Sequence, residues 1–469
     1  MLLRRATRSL QLSTVALLLP VIAGAQGYAL NEIGSCAVGR SFAVTAGGCN
    51  DASSIFWNPA GTLRNDGWSA LAGAATISLK GSFKRDTTGR EYDADASTAI
   101  VPHVFVNHHM KGSRWAFGAG LYVPYGLTSQ WDTTFPGRFE SQKASLKTFY
   151  VQPNVAYQIN KDWSIGGGPI WAHSSVELDQ SLDLSQQIAA AATATTPAVT
   201  FAQLGIAAGT EFGRGHLTGS ASGFGGQLGV MGRLNSSWTV GARYLFPITF
   251  NYDNGDVSFT QVNTGLVIPA TLNASLPAGT KMDTVLAKEF ATGGPLAAQK
   301  ASTKIKHPAQ AQIGANYSGF KGWNLEADYQ WTQWSSFDSL VVTFPSNPSL
   351  NQTKLEQYNN SSSLRLSAEH AFQNQALLRL GISGVTSAAP DYTVTPLLPE
   401  QERAYYTIGG GYPINGNFSL DGAFAYISTL GRRGRTGGRS STTLGASQVN
   451  NGVYSLSAYI FSLSLKASF

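Results

Sequence analysis

Counting back from Phe469, the C-terminal residues alternate. Phe469, Ala467, Leu465, Leu463, Phe461 and Tyr459 fall on one face, and Ser468, Lys466, Ser464 and Ser462 on the other. A period of two marks a strand with one apolar and one polar side. The same pattern recurs near 67–80, 98–110, 114–126, 143–159, 162–178, 217–234, 237–250, 302–318, 321–336, 361–373, 376–387, 402–413, 416–429 and 453–469. These segments predict about 14 strands. In 323–332, Trp323, Leu325, Ala327, Tyr329 and Trp331 alternate with Asn324, Glu326, Asp328, Gln330 and Thr332. Further on, Leu364, Leu366 and Ala368 alternate with Ser363, Arg365, Ser367 and Glu369. Lipid outside and a polar lumen inside account for both faces. Glu326, Asp328, Arg365 and Glu369 would be costly against hydrocarbon, so they are expected to pack in the lumen as structural groups.

The connections alternate in length. Short turns fall at Lys111-Gly112-Ser113, Asn160-Lys161, Asn235-Ser236, Ser318-Gly319-Phe320, Asn374-Gln375 and Asn415-Gly416, with long connections between them. Short periplasmic turns and long extracellular loops are the asymmetry of outer-membrane barrels. The longest loops, 179–216 and 251–301, are apolar for exposed segments. They carry Ile188 to Ala192, Val199 to Phe201 and Leu204-Gly205-Ile206, then Leu266-Val267-Ile268, Val285-Leu286 and Phe290. Apolar surface of that extent either binds a ligand or lets the loops cover each other and the barrel mouth. The run Ala189 to Ala194 is compatible with a short helix. Two prolines stand out, Pro102 in VPHVFV and Pro124 in LYVPYGL, the second followed by Gly126. Proline cannot donate to a ladder, and an unpaired backbone group in hydrocarbon costs several kcal/mol. Together they suggest an interruption of the wall whose freed groups turn inward or meet a plug. The alternative places each proline above the membrane, where water serves the backbone.

Ahead of the strands, residues 27–63 are rich in Gly, Ala and Ser, show no sustained period and cannot hold a core of their own. They are expected inside the barrel. Residues 1–25 carry Arg4, Arg5 and Arg8, an apolar run through Leu17-Leu18-Leu19 to Ile22, and Ala23-Gly24-Ala25, the layout of a signal peptide cut after Ala25. A membrane anchor needs about 20 apolar residues; Gln11, Ser13 and Thr14 leave too few. Removing the three arginines from the formal charge of +6 leaves +3. With no basic stripe, nucleic acid is not a partner. There is no later run of 18 apolar residues, so no transmembrane helix is expected, and only 13% of residues are charged against 11% aromatic. The expected fold is all-β, a 14-stranded antiparallel transmembrane barrel. Its expected parts are a signal peptide (1–25), an N-terminal hatch (26–66) and the barrel (67–469). A secreted soluble β-protein is the competing class. The aromatic C-terminus argues against it, because it resembles the terminal strand of bacterial outer-membrane proteins.

Candidate chemistry is sparse. His103, His108 and His109 cluster at a strand end, a pattern more typical of a solvated edge than of a zinc site. No G-x-S-x-G with a suitably placed acid and histidine occurs, nor a phosphate-binding loop. No metal, no cofactor and no enzymatic activity are expected. An outer-membrane lipase or esterase and a general porin are the alternatives from other classes.

Several stretches, in order and spacing, resemble the FadL/TodX family of outer-membrane transporters for long-chain fatty acids and other hydrophobic compounds. They are ALNEIGSCAVGRSFA, DASSIFWNPAG, YVPYGLTSQW, SLKTFYVQPNVAYQIN, DYQWTQWSSFDSL, PLLPEQERAYYTIGGGY and GYPINGNFSLDGAFAYI, covering nearly the whole mature chain. The resemblance implies a hatch-plugged barrel, ligand capture between two long outer loops, an apolar internal pocket, movement of the hatch N-terminus, and sideways release at a kink in the third strand. It puts Asn58, Pro59 and Ala60 in a hatch motif beside that opening, Val123, Pro124, Tyr125 and Gly126 at the kink, and Pro102 in the adjacent strand. Where fatty-acid members carry basic lumenal side chains, the approximate register gives His173 and Ser361, with Arg365 nearby. A neutral His and a Ser hold a carboxylate weakly. The ligand is therefore a long-chain fatty acid held by Arg365 or an uncharged aliphatic or aromatic hydrocarbon. Cys36 and Cys49 lie in the hatch, where the oxidising periplasm favours a disulfide contributing on the order of 3 kcal/mol; two buried free thiols are the alternative. The expected partners are a hydrophobic small molecule and outer-membrane lipid, the expected assembly a monomer, and the expected location the bacterial outer membrane.

Overall fold

The computed structural model describes residues 27–95, 98–190, 197–268, 277–434 and 451–469. The expected signal peptide lies outside the described residues. Fourteen antiparallel strands form one closed sheet. They are β1 (Gly67–Arg85), β2 (Thr98–His109), β3 (Trp115–Tyr122 and Gly126–Gln130), β4 (Lys143–Gln158), β5 (Trp163–Asp183), β6 (Glu211–Arg233) and β7 (Trp238–Leu245 and Ile248–Gln261). There follow β8 (Gln299–His307 and Gln310–Tyr317), β9 (Trp323–Thr332 and Ser339–Thr343), β10 (Ser361–Ala371), β11 (Leu377–Val385), β12 (Arg403–Pro413), β13 (Phe418–Thr429) and β14 (Gly452–Ser468). The last strand closes on the first, in register from Ser69 opposite Ser468 to Arg85 opposite Gly452. At the seam, Trp68 and Phe469 each donate an N–H to the other's carbonyl at 2.9 Å.

The alternation expected from sequence holds. Phe461, Leu463 and Leu465 are exposed on the outside, while Ser462 and Ser464 are buried inside. In β9, Glu326, Asp328, Gln330 and Thr332 all point into the lumen. Strand ends differ from the expected ones on the outer side. Strands β5 to β8 run further, so the two long loops shrink to 184–210 and 262–298. The ladder continues there beyond the apolar belt, where charge pairs such as Lys300–Asp256 (2.5 Å) replace the apolar and polar alternation that reveals a strand. Several strands are interrupted, among them β3 at 123–125, β7 at 246–247, β8 at 308–309 and β9 after Thr332. Pro124, Pro247 and Pro308 stand in the first three breaks, where a missing N–H would weaken any ladder.

Residues 27–66 pack inside the barrel. They form a short helix (Ser35–Gly39), a helical turn (Ser54–Trp57) and a 3-10 helix (Pro59–Arg64), with Ala37, Phe42 and Trp57 at most 1% exposed. The inward charges hold this segment. Asp328 accepts from the backbone N–H groups of Val44 and Thr45 and from the Thr45 hydroxyl at 2.8, 3.0 and 2.7 Å. Glu326 accepts from Ala46 N–H at 2.6 Å and pairs with Arg40 at 3.3 Å. Arg365 donates to Phe42 O at 3.2 Å and Arg243 to Phe56 O at 3.1 Å. On the opposite wall, Ser35 Oγ meets Ser462 Oγ and Ser464 Oγ at 2.8 Å each. Close approach requires glycine: a Cβ on Gly229 or Gly241 would stand 2.3 Å from Asn58 Oδ1 or Thr45 O. Cys36 and Cys49 are joined in a disulfide, so the free-thiol alternative falls.

Asp328→Ala would leave three buried donors of the internal segment without an acceptor, at about 1–3 kcal/mol for each unsatisfied group. Limited proteolysis of folded barrels should then cut within residues 40–50 while the barrel itself stays resistant; a segment as protected as in the wild type contradicts this anchoring.

Candidate functional site

The hydrogen-bonded ladder between β2 and β3 is short. Their ladder runs only from Val104–Leu121 to His109–Ala116. Above it, the rest of β2 pairs with β1 and the upper arm of β3 pairs with β4. The interruption is closed at its top by Asp95 N–H donating to Gln130 O at 2.9 Å. Pro102 stands in the unpaired stretch of β2 and Pro124 at the kink of β3. There Tyr122, Val123, Pro124 and Tyr125 are buried in succession, which breaks the period of two and turns the chain inward. The internal segment meets the freed backbone. Leu30 N–H donates to Pro124 O and Gly126 N–H to Tyr28 O, both at 2.9 Å. A Cβ at Gly126 would lie 2.9 Å from Leu30 Cδ1, so the leucine fills the space beside the kink. Tyr125 then reaches across the lumen, donating to Pro308 O at 2.9 Å in the break of β8.

Two cavities lead to this place. The outer one, about 700 Å³, lies between the long loops and the barrel mouth, with Ile188, Phe201, Phe259 and Leu286 in its wall. The inner one is almost wholly apolar, lined by Leu127, Leu146, Val176 and Ile305, with Tyr28 of the internal segment at its edge. Leu178, Leu340 and Leu397 line both. The loops also cover each other: Leu184, Phe201 and Ile206 of the first pack with Ile268, Met282 and Leu286 of the second. Covering and cavity formation thus coexist. Ile188–Ala190 is a strand paired with Val199–Thr200, not the start of a helix; the rest of the alanine run, 191–194, lies outside the described residues.

The residues singled out from sequence separate into groups. Val123 to Gly126 form the kink as expected. Asn58, Pro59 and Ala60 do not flank it. Asn58 Nδ2 donates to Thr45 O and Val230 O at 2.8 and 3.0 Å, and a Cβ at Gly166 would meet Pro59 at 2.6 Å, which puts the motif against β5 and β6. The residues beside the kink are Tyr28 to Leu30, which lie in an aperiodic stretch with no sequence signal for pairing. His173 is not a lumenal residue. Odd positions of this part of β5 face outward, so His173 stacks beside exposed Trp171 and meets Ser222 Oγ at 3.2 Å. Ser361 is buried inside. Arg365 is buried as well but engaged, donating to Gln330 Oε1 at 2.7 Å and to Phe42 O. His103 is fully buried and meets Ser464 Oγ at 2.9 Å, a lumenal position in place of the expected solvated edge. His108 stacks on Trp68 and His109 pairs with Asp66 at 3.0 Å, so the three imidazoles do not converge.

Sequence reasoning gave no sign of two acids above the inner cavity. Glu400 is buried, but it accepts from Ala388 and Ala389 N–H at 3.0 and 2.7 Å and is only at the outer limit of a bond, 3.4 Å, from Gly27 N–H. Glu356 is 2% exposed and its Oε2 has no hydrogen-bond partner. Burial, only partly offset by Lys354, pushes its carboxyl up from the ordinary value to about 8.

A closed barrel with lipid-facing aromatic and aliphatic rows and a packed interior defines the class: a β-barrel of the outer membrane. Residues 16–469 match the family described as outer membrane protein transport protein (OMPP1/FadL/TodX), and the chain belongs to that family. The long-chain fatty acid transport protein of Escherichia coli K12 is 26% identical over 432 residues, covering 89% of this chain and 91% of that protein. Outer membrane protein P1 of Haemophilus influenzae is 23% identical over 439 residues, 89% of each. Among solved structures, a FadL homologue of Pseudomonas aeruginosa superimposes with a TM-score of 0.77 at 19% identity, over 95% of this chain and 100% of that one. The Pseudomonas putida toluene transporter TodX gives 0.64 at 16%, over 96% and 99%. These likenesses carry the fold, and the protein resides in the outer membrane.

The raised Glu356 sets a pH dependence. The folded state favours the protonated carboxyl, so its stabilising effect is full below the unfolded value near 4.5 and is lost as pH rises towards about 8. The 333–360 region should therefore become more sensitive to protease at pH 9 than at pH 6, and Glu356→Gln should flatten that difference. An unchanged profile in the variant would assign the effect to another group.

Proposed function

We propose that the protein mediates passive uptake of hydrophobic molecules across the outer membrane, with release sideways into the outer leaflet. The ligand is captured in the outer cavity and passes to the inner one along their shared leucine wall. Displacement of Tyr28 to Leu30 then frees the way out between β2 and β3. The observation that carries this reading is that the backbone freed at the β3 kink, where the β2–β3 ladder stops, is met by backbone groups of the internal segment. Those bonds are neutral, each worth about 0.5–1.5 kcal/mol net, whereas residues 40–46 are held by the buried charged side chains Glu326, Asp328 and Arg365. The segment's start is therefore the part that can move.

A side exit suits the chemistry of the cargo. It keeps apolar surface out of water, at about 25 cal/mol per Å². The names of the relatives, a long-chain fatty acid transporter and a toluene transporter, support hydrophobic cargo of two kinds. The inner cavity favours the neutral kind. No cationic side chain lines it among the described residues, and Arg365, the expected carboxylate partner, is already engaged by Phe42 and Gln330. An uncharged or neutral-ended molecule is the better fit.

Replacing Pro124 and Gly126 together by valine should restore ladder pairing and crowd Leu30. Uptake of radiolabelled hexadecane by cells producing this variant should fall to background while the barrel still assembles in the outer membrane. Uptake at the wild-type rate would remove the side exit.

A further inference from the structure

One ring behind the inner cavity lies a set of buried polar atoms that nothing in the protein satisfies. Trp334 Nε1, Glu356 Oε2 and Tyr358 OH are each buried without a hydrogen-bond partner. Trp334 and Tyr358 have ring centroids 6.3 Å apart, and Glu356 is two residues from Tyr358 and close enough to help raise its hydroxyl's pKa. Their residues are at most 3% exposed. An isolated buried donor or acceptor costs about 1–3 kcal/mol. Three such atoms in one packed aromatic layer, a single ring behind the inner cavity, mark a place built for something else.

The position relative to the cavity is specific. Phe337 and Tyr28 line the inner cavity, and their rings lie 5.2 Å from Tyr358 and 4.7 Å from Trp334 respectively. The two side chains separate the apolar space from the polar atoms. Tyr28 is also the residue whose carbonyl accepts from Gly126 at the kink. The combined chemistry is an indole N–H donor, a phenol that donates or accepts, and a carboxyl without a cationic partner. A ligand carboxylate would face Glu356 with no counter-ion, since Lys354 donates to the Glu140 carbonyl. A hydroxyl fits: it accepts from Trp334 or Tyr358 and donates to Glu356 Oε2.

We propose that Trp334, Glu356 and Tyr358 form a seat for the hydroxyl end of an otherwise apolar molecule, an alcohol or a phenol, whose hydrocarbon part runs through the inner cavity into the outer one. Entry of that end moves Tyr28 aside, so the polar group of the cargo is read at the residue that bridges the wall. This rests on the uptake reading above.

The test measures binding of 1-dodecanol, n-dodecane and dodecanoate to the full-length protein in lipid nanodiscs. The wild type should prefer dodecanol to dodecane by roughly tenfold, the scale of one or two buried hydrogen bonds. Tyr358→Phe and Glu356→Leu should each bring that ratio close to one. Thermal unfolding of the barrel checks that each variant is folded, and Tyr358→Phe decides the matter if Glu356→Leu does not assemble. A preference that survives in folded variants, or tighter binding of dodecanoate than of dodecanol, overturns the seat, whose polar atoms would then hold water. Binding of neither dodecane nor dodecanol overturns the uptake reading with it.

Discussion

A barrel wall in hydrocarbon allows no unpaired backbone, and a lumen closed from water allows no unpaired charge. Both conditions are met here by the same stretch of chain. The inward carboxylates of β9 and arginines of β7 and β10 are only partly satisfied by wall residues such as Gln310, Gln312 and Gln330. They find further partners in the backbone of residues 40–57, as when Asp328 gathers two amides and a hydroxyl. Without that segment these charges would lose those partners and face an open lumen. With it, the barrel and its contents are one structure.

The same segment is tied unevenly. Its middle is held by ions, by the disulfide and by glycines that let two backbones touch. Its start rests on neutral bonds to the kinked edge of β3 and on aromatic contacts, among them Tyr28 against Trp334 and Phe337. The backbone freed at the β3 kink is thus met by the start of the segment and not by its charged middle. Breaks in β7 and β8 face each other across Leu245–Gln310 and Ile248–His307, and Tyr125 spans from the β3 kink to that level. The proline positions therefore gather around one depth of the barrel, which is also where the apolar cavity ends.

Much of this is legible in the sequence because lipid imposes a strict period of two. Strand number, facing and closure follow from it, and so does the placing of Glu326 and Asp328 inside. Where the period stops, so does legibility. The outer ends of β5 to β8 lie above the lipid and are held by pairs such as Lys300–Asp256, which sequence reads as loop. His173 was assigned to the lumen by approximate alignment, although the parity of β5, with Trp171 outside and Ser174 inside, places it outward. Pro102 and Pro124 announced the interruption, but not that Tyr28 to Leu30 would bridge it. Aperiodic segments such as 27–33 and 333–360 take their positions from tertiary contacts alone, so Glu356 and Tyr358 carried no signal.

The central claim is that residues 27–66 seal a pore that the strands alone would leave open. Ionic conductance in planar bilayers tests it most directly. The intact protein should show almost no conductance, and a variant lacking residues 27–66 that still inserts as a barrel should give stable, large conductance steps. Equal conductance from the two would contradict it.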